Sequence, residues 1–232
     1  MSRQIQSLTY AFSQQTLPEF WNWSDAEKQT TVDVGDTNAT LKLIYDRIHE
    51  GLKQSGATGD DLKFEFAGIL HDKDHKLKMS SDGEIEQVEV VPHIHGMISF
   101  TKKRDLNAVA SWIGIVPTQV EQAKKGRYGK ENILAYLIHA KAPSKYQYPP
   151  SDVETFGTFD YMQYFEDHAV DWMKQAAKVR KQDSVMSADM MVQKVRKGLM
   201  TKEEILDSEE YFEIYGENKR RFDEAFELYQ EM

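Results

Sequence analysis

Four of the chain's seven histidines fall in two short clusters, His71-Asp72-Lys73-Asp74-His75 and Pro92-His93-Ile94-His95. The second cluster sits among β-formers, and Pro92 marks a strand start or an edge. On a strand, residues two apart share a face, so His93 and His95 stand side by side with Ile94 opposite. Imidazoles at a fixed separation offer lone pairs to a divalent cation. With one carboxylate they make a site for Mn²⁺ or Mg²⁺ that leaves positions for substrate oxygens. Taken singly, the His-x-His pair is equally well two surface histidines, and the 71–75 stretch a solvated polar turn. One hairpin apart, they favour a metal site. A candidate nucleophile follows in Ala135-Tyr136-Leu137-Ile138-His139. On a helix Tyr136 and His139 share a face, and a tyrosine hydroxyl becomes a useful nucleophile when a cation or base activates it. Tyr128, Tyr146 and Tyr148 compete for that role. His139 is an auxiliary candidate, for orienting a substrate or moving a proton, against an equally good reading as a structural hydrogen-bond partner.

The elements that must position these residues are legible in the hydrophobic pattern. Residues 4–12 and 63–70 suit strands, and 38–53 an amphipathic helix. Residues 71–83 are polar and turn-rich, and 86–100 suit one long strand carrying the His-x-His pair. A helix is expected over 105–112 with Asp105 near its start, a strand over 116–123, and a helix over 130–141 held on the core by Leu134, Leu137 and Ile138. After Pro143, Pro149 and Pro150 strands give out, and 185–198, 201–207 and 217–232 look helical, with a Thr201/Glu204 capping box. The expected architecture is α+β over 1–165 with a small all-helical domain over 166–232. Tyr211, Phe212, Tyr215, Phe222, Phe226 and Tyr229 would supply core or interface area in the latter.

Composition narrows the chemistry. There are no cysteines, so thiolate metal sites, disulfides and cysteine nucleophiles are excluded. No apolar run is long enough to span a bilayer and no signal-peptide pattern is present, which fits a cytoplasmic protein with no membrane partner. The formal net charge of −9 argues against indiscriminate nucleic-acid binding. Residues 101–148, however, carry a net +6, through Lys102, Lys103, Arg104, Lys124, Lys125, Arg127 and Lys130 together with Lys141 and Lys145. Such a local basic face can hold phosphates, although a solvated face is the ordinary reading of the same residues. Trp112 and Tyr128 could stack on bases, with burial an equal claim on Trp112.

The order of a hydrophobic strand ending in His71-Asp72-Lys73-Asp74, then Pro92-His93-Ile94-His95-Gly96, then Tyr136-Leu137-Ile138-His139 resembles the HUH endonucleases. More closely, it is similar to the replication initiators of small rolling-circle plasmids of Gram-positive bacteria, of the streptococcal RepB type. The resemblance implies a ferredoxin-like domain with a central antiparallel sheet. It implies His71, Asp74, His93 and His95 as ligands of Mn²⁺ or Mg²⁺, and Tyr136 as the nucleophile that nicks one strand at a plasmid origin. A 5′-phosphotyrosine and a free 3′-hydroxyl result, with strand closing at termination. The partners it implies are origin DNA, both double-stranded repeats and a single-stranded nick site, further copies of the chain through the helical C-terminal region, and host replication proteins. No second tyrosine occupies the same short motif, which disfavours a two-tyrosine mechanism. A relaxase or transposase would share the site, although relaxases usually carry the tyrosine near the N-terminus. A catalytically silent DNA-binding regulator on the same fold is the remaining alternative.

Overall fold

The computed structural model describes residues 5–79, 85–126, 128–207 and 209–230. The chain divides into two compact units, Met1–Met173 and Lys174–Met232.

The first unit is α+β, built on a split βαβ arrangement. β1 (Gln6–Gln15) leads through α1 (Asp25–Gln29) and α2 (Thr37–Gln54) to β2 (Phe64–His71). A hairpin of β3 (His75–Met79) and β4 (Ile85–Glu89) follows, then β5 (His93–Asp105), α3 (Leu106–Ile113) and β6 (Val120–Gln122). β5 inserts between β1 and β2, and the five-stranded antiparallel sheet has the order β6-β1-β5-β2-β7, with β7 at Glu154–Phe156. Without β7, this is the strand order of a ferredoxin-like sheet. Its two crossover helices, α2 and α3, pack on one face. Tyr10, Phe12, Phe64, Phe66, Ile94 and Ile98 point from the strands into a core completed by Leu41, Ile44, Ile48 and Val109. α2 begins with an Asp36 side-chain cap and α3 with Asp105, whose carboxylate accepts from the amides of Asn107 and Ala108. The opposite face is covered by α4 (Gly129–Leu137) and the start of α5 (Tyr161–Arg196). Here Ala67, Ile69 and Met97 meet Leu134, Ala135, Leu137, Tyr161 and Trp172.

Several boundaries depart from the sequence pattern. The expected turn over 71–83 contains β3, and the expected strand over 86–100 is two strands broken at Val90-Val91-Pro92. The break is enforced by Pro92, which has no amide to donate to a ladder. Pro92 therefore marks a strand start, and β5 is the middle strand of the sheet. The expected strand over 116–123 is a 3₁₀ turn at Pro117–Gln119 followed by β6. α4 stops at Leu137 instead of reaching Lys141. His139 adopts φ 56°, with the amides of His139 and Ala140 returning to the carbonyls of Tyr136 and Ala135. That is a Schellman motif with histidine where glycine is usual. α1 was missed in the sequence although Ser24 and Glu27 form a capping box at its start, and β7 carried no signal of its own.

In the second unit α6 (Lys202–Asp207), α7 (Glu209–Glu217) and α8 (Lys219–Gln230) follow α5. Met191, Val192, Val195, Ile205, Tyr215 and Phe222 form its core, with Tyr211 and Phe226 packed against it and Phe212 and Tyr229 half exposed. The Thr201/Glu204 capping box is present, with both reciprocal backbone bonds made. Among the described residues, no helix is long and apolar enough to cross a membrane.

Gly96 lies in the middle of β5, where the Phe12 ring occupies the space a side chain would take: an added Cβ would stand 2.1 Å from Phe12 Cε1. Gly96→Ala is expected to destabilise the fold by about 1–3 kcal/mol through overpacking, measured by urea unfolding against wild type.

Candidate functional site

Strand register brings the histidines together. His71 pairs directly with His93 across β2 and β5, and His95 pairs with Ile69. Paired residues in an antiparallel ladder share a face, so His71, His93 and His95 all project from the face opposite α2 and α3. Asp74 joins them because the base of the β3–β4 hairpin is closed by the Val90 amide donating to the Asp74 carbonyl at 2.8 Å. That contact holds the turn after β2 against the start of β5. Asp72 and His75, from the same short stretch, are exposed.

The ring nitrogens are sorted by their partners. His71 Nε2 lies 2.7 Å from the Leu137 carbonyl, His93 Nδ1 2.9 Å from that of Val91, and His139 Nδ1 2.8 Å from that of Tyr146. A carbonyl only accepts, so each of these nitrogens carries the proton and the other nitrogen keeps its lone pair. The two free nitrogens His71 Nδ1 and His93 Nε2 lie 3.6 and 3.8 Å from Asp74 Oδ2. Two ligands of one ion at bond lengths of roughly 2.0–2.3 Å stand about 3–4.5 Å apart, and these separations fall in that range. The ligating atoms of His71, His93 and His95 lie within 4.8 Å of one another, as do those of His71, Asp74 and His139. Among the described residues five buried side-chain polar atoms have no hydrogen-bond partner, and three of them, His71 Nδ1, Asp74 Oδ1 and His139 Nε2, belong to this second group. Orphaned acceptors gathered at one point are what a cation-binding site requires. The group can therefore hold a metal ion.

Burial sets the electrostatics. Loss of solvent pushes the pKa of His71 down to about 4, opposed by its bond to Leu137 and the Asp74 charge. The same desolvation, reinforced by the neighbouring imidazoles, pushes His95 down to about 2, and His139 is also lowered by burial. His71, His95 and His139 are thus held in the neutral form, the one that binds metals.

α4 delivers the tyrosine. The helix is anchored by Leu134, Ala135 and Leu137 on the sheet, by Tyr161 Oη donating to the Leu134 carbonyl at 2.9 Å, and by His71 donating to Leu137. Gly129 permits its start, since a Cβ there would meet the Lys124 carbonyl at 2.2 Å. The Tyr136 ring stands 5.3 Å from His95, 5.0 Å from His139 and 6.4 Å from His71, centroid to centroid. The side chain is 41% exposed and borders a cleft of about 490 Å³ that also touches Ser13, His95, Gln122, Lys124 and Asn132. Of the competing tyrosines, Tyr148 is buried, stacks on His71 at 4.5 Å and is pushed up to about 12, mainly by burial. Tyr146 accepts from Lys73 Nζ at 3.2 Å, and Tyr128 is 53% exposed.

The expected DNA-contacting cations are not gathered in one place. Lys102, Lys103 and Arg104 lie at the other end of β5 from the histidines, roughly 23 Å or more along the strand. There Lys102 pairs with Asp61, and Arg104 Nη2 donates to the Asp61 carbonyl. Lys130 pairs with Glu65 and lies over the rings of Phe159 and Tyr164. Lys124 is exposed on the cleft, Lys125 is exposed next to it in the chain, and Arg127 lies outside the described residues. Trp112 packs over Gly51 and against Phe100, so burial accounts for it. Lys145, counted in the sequence only as part of the basic segment, stands at the tyrosine. It donates from Nζ to Tyr136 Oη at 2.8 Å and lies 4.0 Å from Asp74 Oδ2. Its separation of nine positions from Tyr136, across a chain reversal, gave no periodic signal.

Residues 60–162 match the model of a family described as plasmid replication protein, origin binding domain. The matched segment contains His71, Asp74, His93, His95, Tyr136 and His139, whereas β1 and α2, which complete the sheet and its core, precede it. No curated protein matches the chain. The match supports plasmid replication through binding of the plasmid origin.

The lowered histidine pKa values carry a sign. His71 and His95 bind a proton less readily folded than unfolded, so the unfolded chain takes up protons first as pH falls. Their contribution to stability is complete above about pH 6.5 and is lost as pH falls toward the folded-state value of about 4 for His71. The melting temperature of metal-free protein is expected to drop from pH 7 to pH 4.5. His95→Asn should flatten that dependence relative to wild type, which differential scanning fluorimetry across the pH series reads directly.

Proposed function

We propose that the chain initiates rolling-circle replication of a plasmid by nicking one strand at the origin, with Tyr136 as the nucleophile and His71, Asp74, His93 and His95 as ligands of Mn²⁺ or Mg²⁺. The observation that carries this reading is the docking of the Tyr136 ring against His95 and His139, on the open side of a buried His/Asp cluster whose free lone pairs converge. A cation bound there would polarise the scissile phosphate and offset its charge. The match to an origin-binding family supports DNA as the substrate.

The chemistry assigned to the chain's own groups is a transesterification. Tyr136 Oη bonds to phosphorus and releases its proton to solvent. The P–O3′ bond breaks, and the 3′-oxygen leaves with the bonding pair and takes up a proton. One phosphodiester replaces another, so the bond is conserved for the closing step. The ≈ 490 Å³ cleft beside Tyr136 would take part of an unpaired strand, and Lys124 on its lining, with the exposed Lys125 next to it in the chain, would hold backbone phosphates. The more distant Lys102, Lys103 and Arg104 would contact duplex flanking the nick. The second unit, with Phe212 and Tyr229 half exposed, is proposed to join copies of the chain.

Tyr136→Phe is expected to remove both nicking of supercoiled plasmid and the covalent protein–DNA adduct while origin binding is kept. A nucleotide found by mass spectrometry on Tyr146 or Tyr148 would overturn the assignment, and origin binding with no nicking by wild type in Mn²⁺ would favour a silent regulator. His93→Ala or His95→Ala should slow nicking by more than about 100-fold, exceeding the loss usual when only a ligand's supporting partner is removed, with the circular dichroism spectrum retained.

Removal of residues 174–232 should lower the oligomer mass in sedimentation and weaken origin binding through lost multivalency, yet spare cleavage of single-stranded DNA. A monomeric full-length chain at micromolar concentration would contradict the assembly role.

A further inference from the structure

We propose that Lys145 is a further catalytic residue, whose ammonium holds the Tyr136 oxygen in place for attack and offsets the negative charge that gathers on it and on the phosphate. The assignment deepens the reading of Tyr136 as the nucleophile and rests on it. Three observations carry it. Lys145 Nζ donates to Tyr136 Oη at 2.8 Å and also lies 4.8 Å from the centroid of the Tyr136 ring, so the side chain follows the phenol along its length. The same nitrogen is 4.0 Å from Asp74 Oδ2, which puts it between the nucleophile and the His/Asp cluster. Finally, the backbone that carries Lys145 is built to return there. The left-handed turn at His139 reverses the chain after α4, the Ala142 amide donates to the His139 carbonyl, and the Lys145 amide donates to the Ala142 carbonyl. Gln147 Nε2 then donates to the carbonyls of both Ala142 and Lys145, at 3.0 and 2.9 Å.

A non-glycine residue in the left-handed region costs roughly 1–2 kcal/mol, so the turn at His139 has to be held in place. The bond from His139 Nδ1 to the Tyr146 carbonyl holds it, tying the turn to the residue next to Lys145. Among the described residues, Lys141 pairs with Glu131, Lys73 reaches Tyr146 and Lys130 pairs with Glu65, so these three cations are engaged elsewhere. An ammonium has donors only, so Lys145 takes no proton from Tyr136. As Oη bonds to phosphorus its proton goes to solvent, and the 3′-oxygen departs with the electron pair of the broken bond and is protonated from solvent. Lys145 keeps its charge throughout, shifting its hydrogen bond from the phenol oxygen toward a non-bridging phosphate oxygen.

The test compares wild type with Lys145→Met and Lys145→Arg, using a radiolabelled oligonucleotide that spans the nick mapped on a supercoiled plasmid bearing the replicon, in Mn²⁺. Single-turnover cleavage at saturating oligonucleotide should fall about 10²–10³-fold in Lys145→Met, as when a charge-stabilising donor is removed. It should be partly restored in Lys145→Arg, which keeps the charge but not the compact geometry. A weaker dissociation constant with a salt slope reduced by about one and an unchanged saturating rate would make Lys145 a phosphate contact only and overturn the proposal. A second readout needs no DNA. Acetylation of tyrosine hydroxyls by N-acetylimidazole, followed by peptide mass spectrometry, should modify Tyr136 more slowly in Lys145→Met than in wild type, with Tyr128 as the internal reference. If wild type cleaves nothing but Tyr136 acetylation depends on Lys145, the nicking reading fails and the pairing of lysine with nucleophile stands. If acetylation is unchanged, the pairing itself is overturned.

Discussion

The hydrogen bond from His71 Nε2–H to the Leu137 carbonyl, 2.7 Å long and fully buried, joins two parts of the site that would otherwise be independent. On the β2 side it fixes the imidazole tautomer, leaving Nδ1 unprotonated and aimed at Asp74. On the α4 side it occupies one of the carbonyls that every helix leaves unpaired at its C-terminus, which docks the turn carrying Tyr136. Loss of this contact would free the wrong nitrogen and loosen the helix together. The proposed metal ligands and nucleophile would have to be held to a fraction of an ångström, and a single bond shared between their elements would serve both.

The sheet makes this possible because its two faces are used differently. α2 and α3 take one face, with aromatic and aliphatic side chains at alternate positions of β1, β2 and β5. Gly68 and Gly96 pair across β2 and β5 on that face, where Leu41 and Phe12 press close to the backbone. The other face of a split βαβ sheet is not covered by its own crossover helices. Here α4 and α5 cover its apolar part, around Met97 and Ile69, and at the polar end His95, beside the buried His71, lines the cleft.

Charge follows the same division. The basic segment 101–148 looked like one face in the sequence, but folding disperses it. Lys102 and Arg104 are tied to Asp61 at the far end of β5, and Lys130 and Lys141 are consumed in ion pairs with Glu65 and Glu131. Among the described residues, Lys124 lies on the cleft and Lys145 on the tyrosine, so the positive potential near the cluster comes from fewer residues than the sequence tally suggests. In an acidic chain this confines anion binding to a small area.

Much of the molecule was legible without coordinates. Alternation in 63–70 and the helical spacing of Leu41, Ile44, Ile48 and Leu52 identified β2 and α2, because apolar periodicity is a local property of the chain. Asp105 and the Thr201/Glu204 box marked helix starts because capping acts within three residues. The His-x-His spacing fixed which side chains share a face of β5. Distant relations were not encoded in such local signals. That His71 pairs with His93 follows from the register of two strands separated by a hairpin. That Asp74 reaches them depends on a backbone bond to Val90. The loss of Trp112 to the core, the end of α4 at Leu137 and the return of Lys145 to Tyr136 depend on packing and on a left-handed turn at a histidine. Periodicity and capping report the neighbourhood along the chain; register, burial and chain reversal are settled by contacts between residues far apart in it, and those contacts convert separate histidines, a carboxylate, a tyrosine and a lysine into one site.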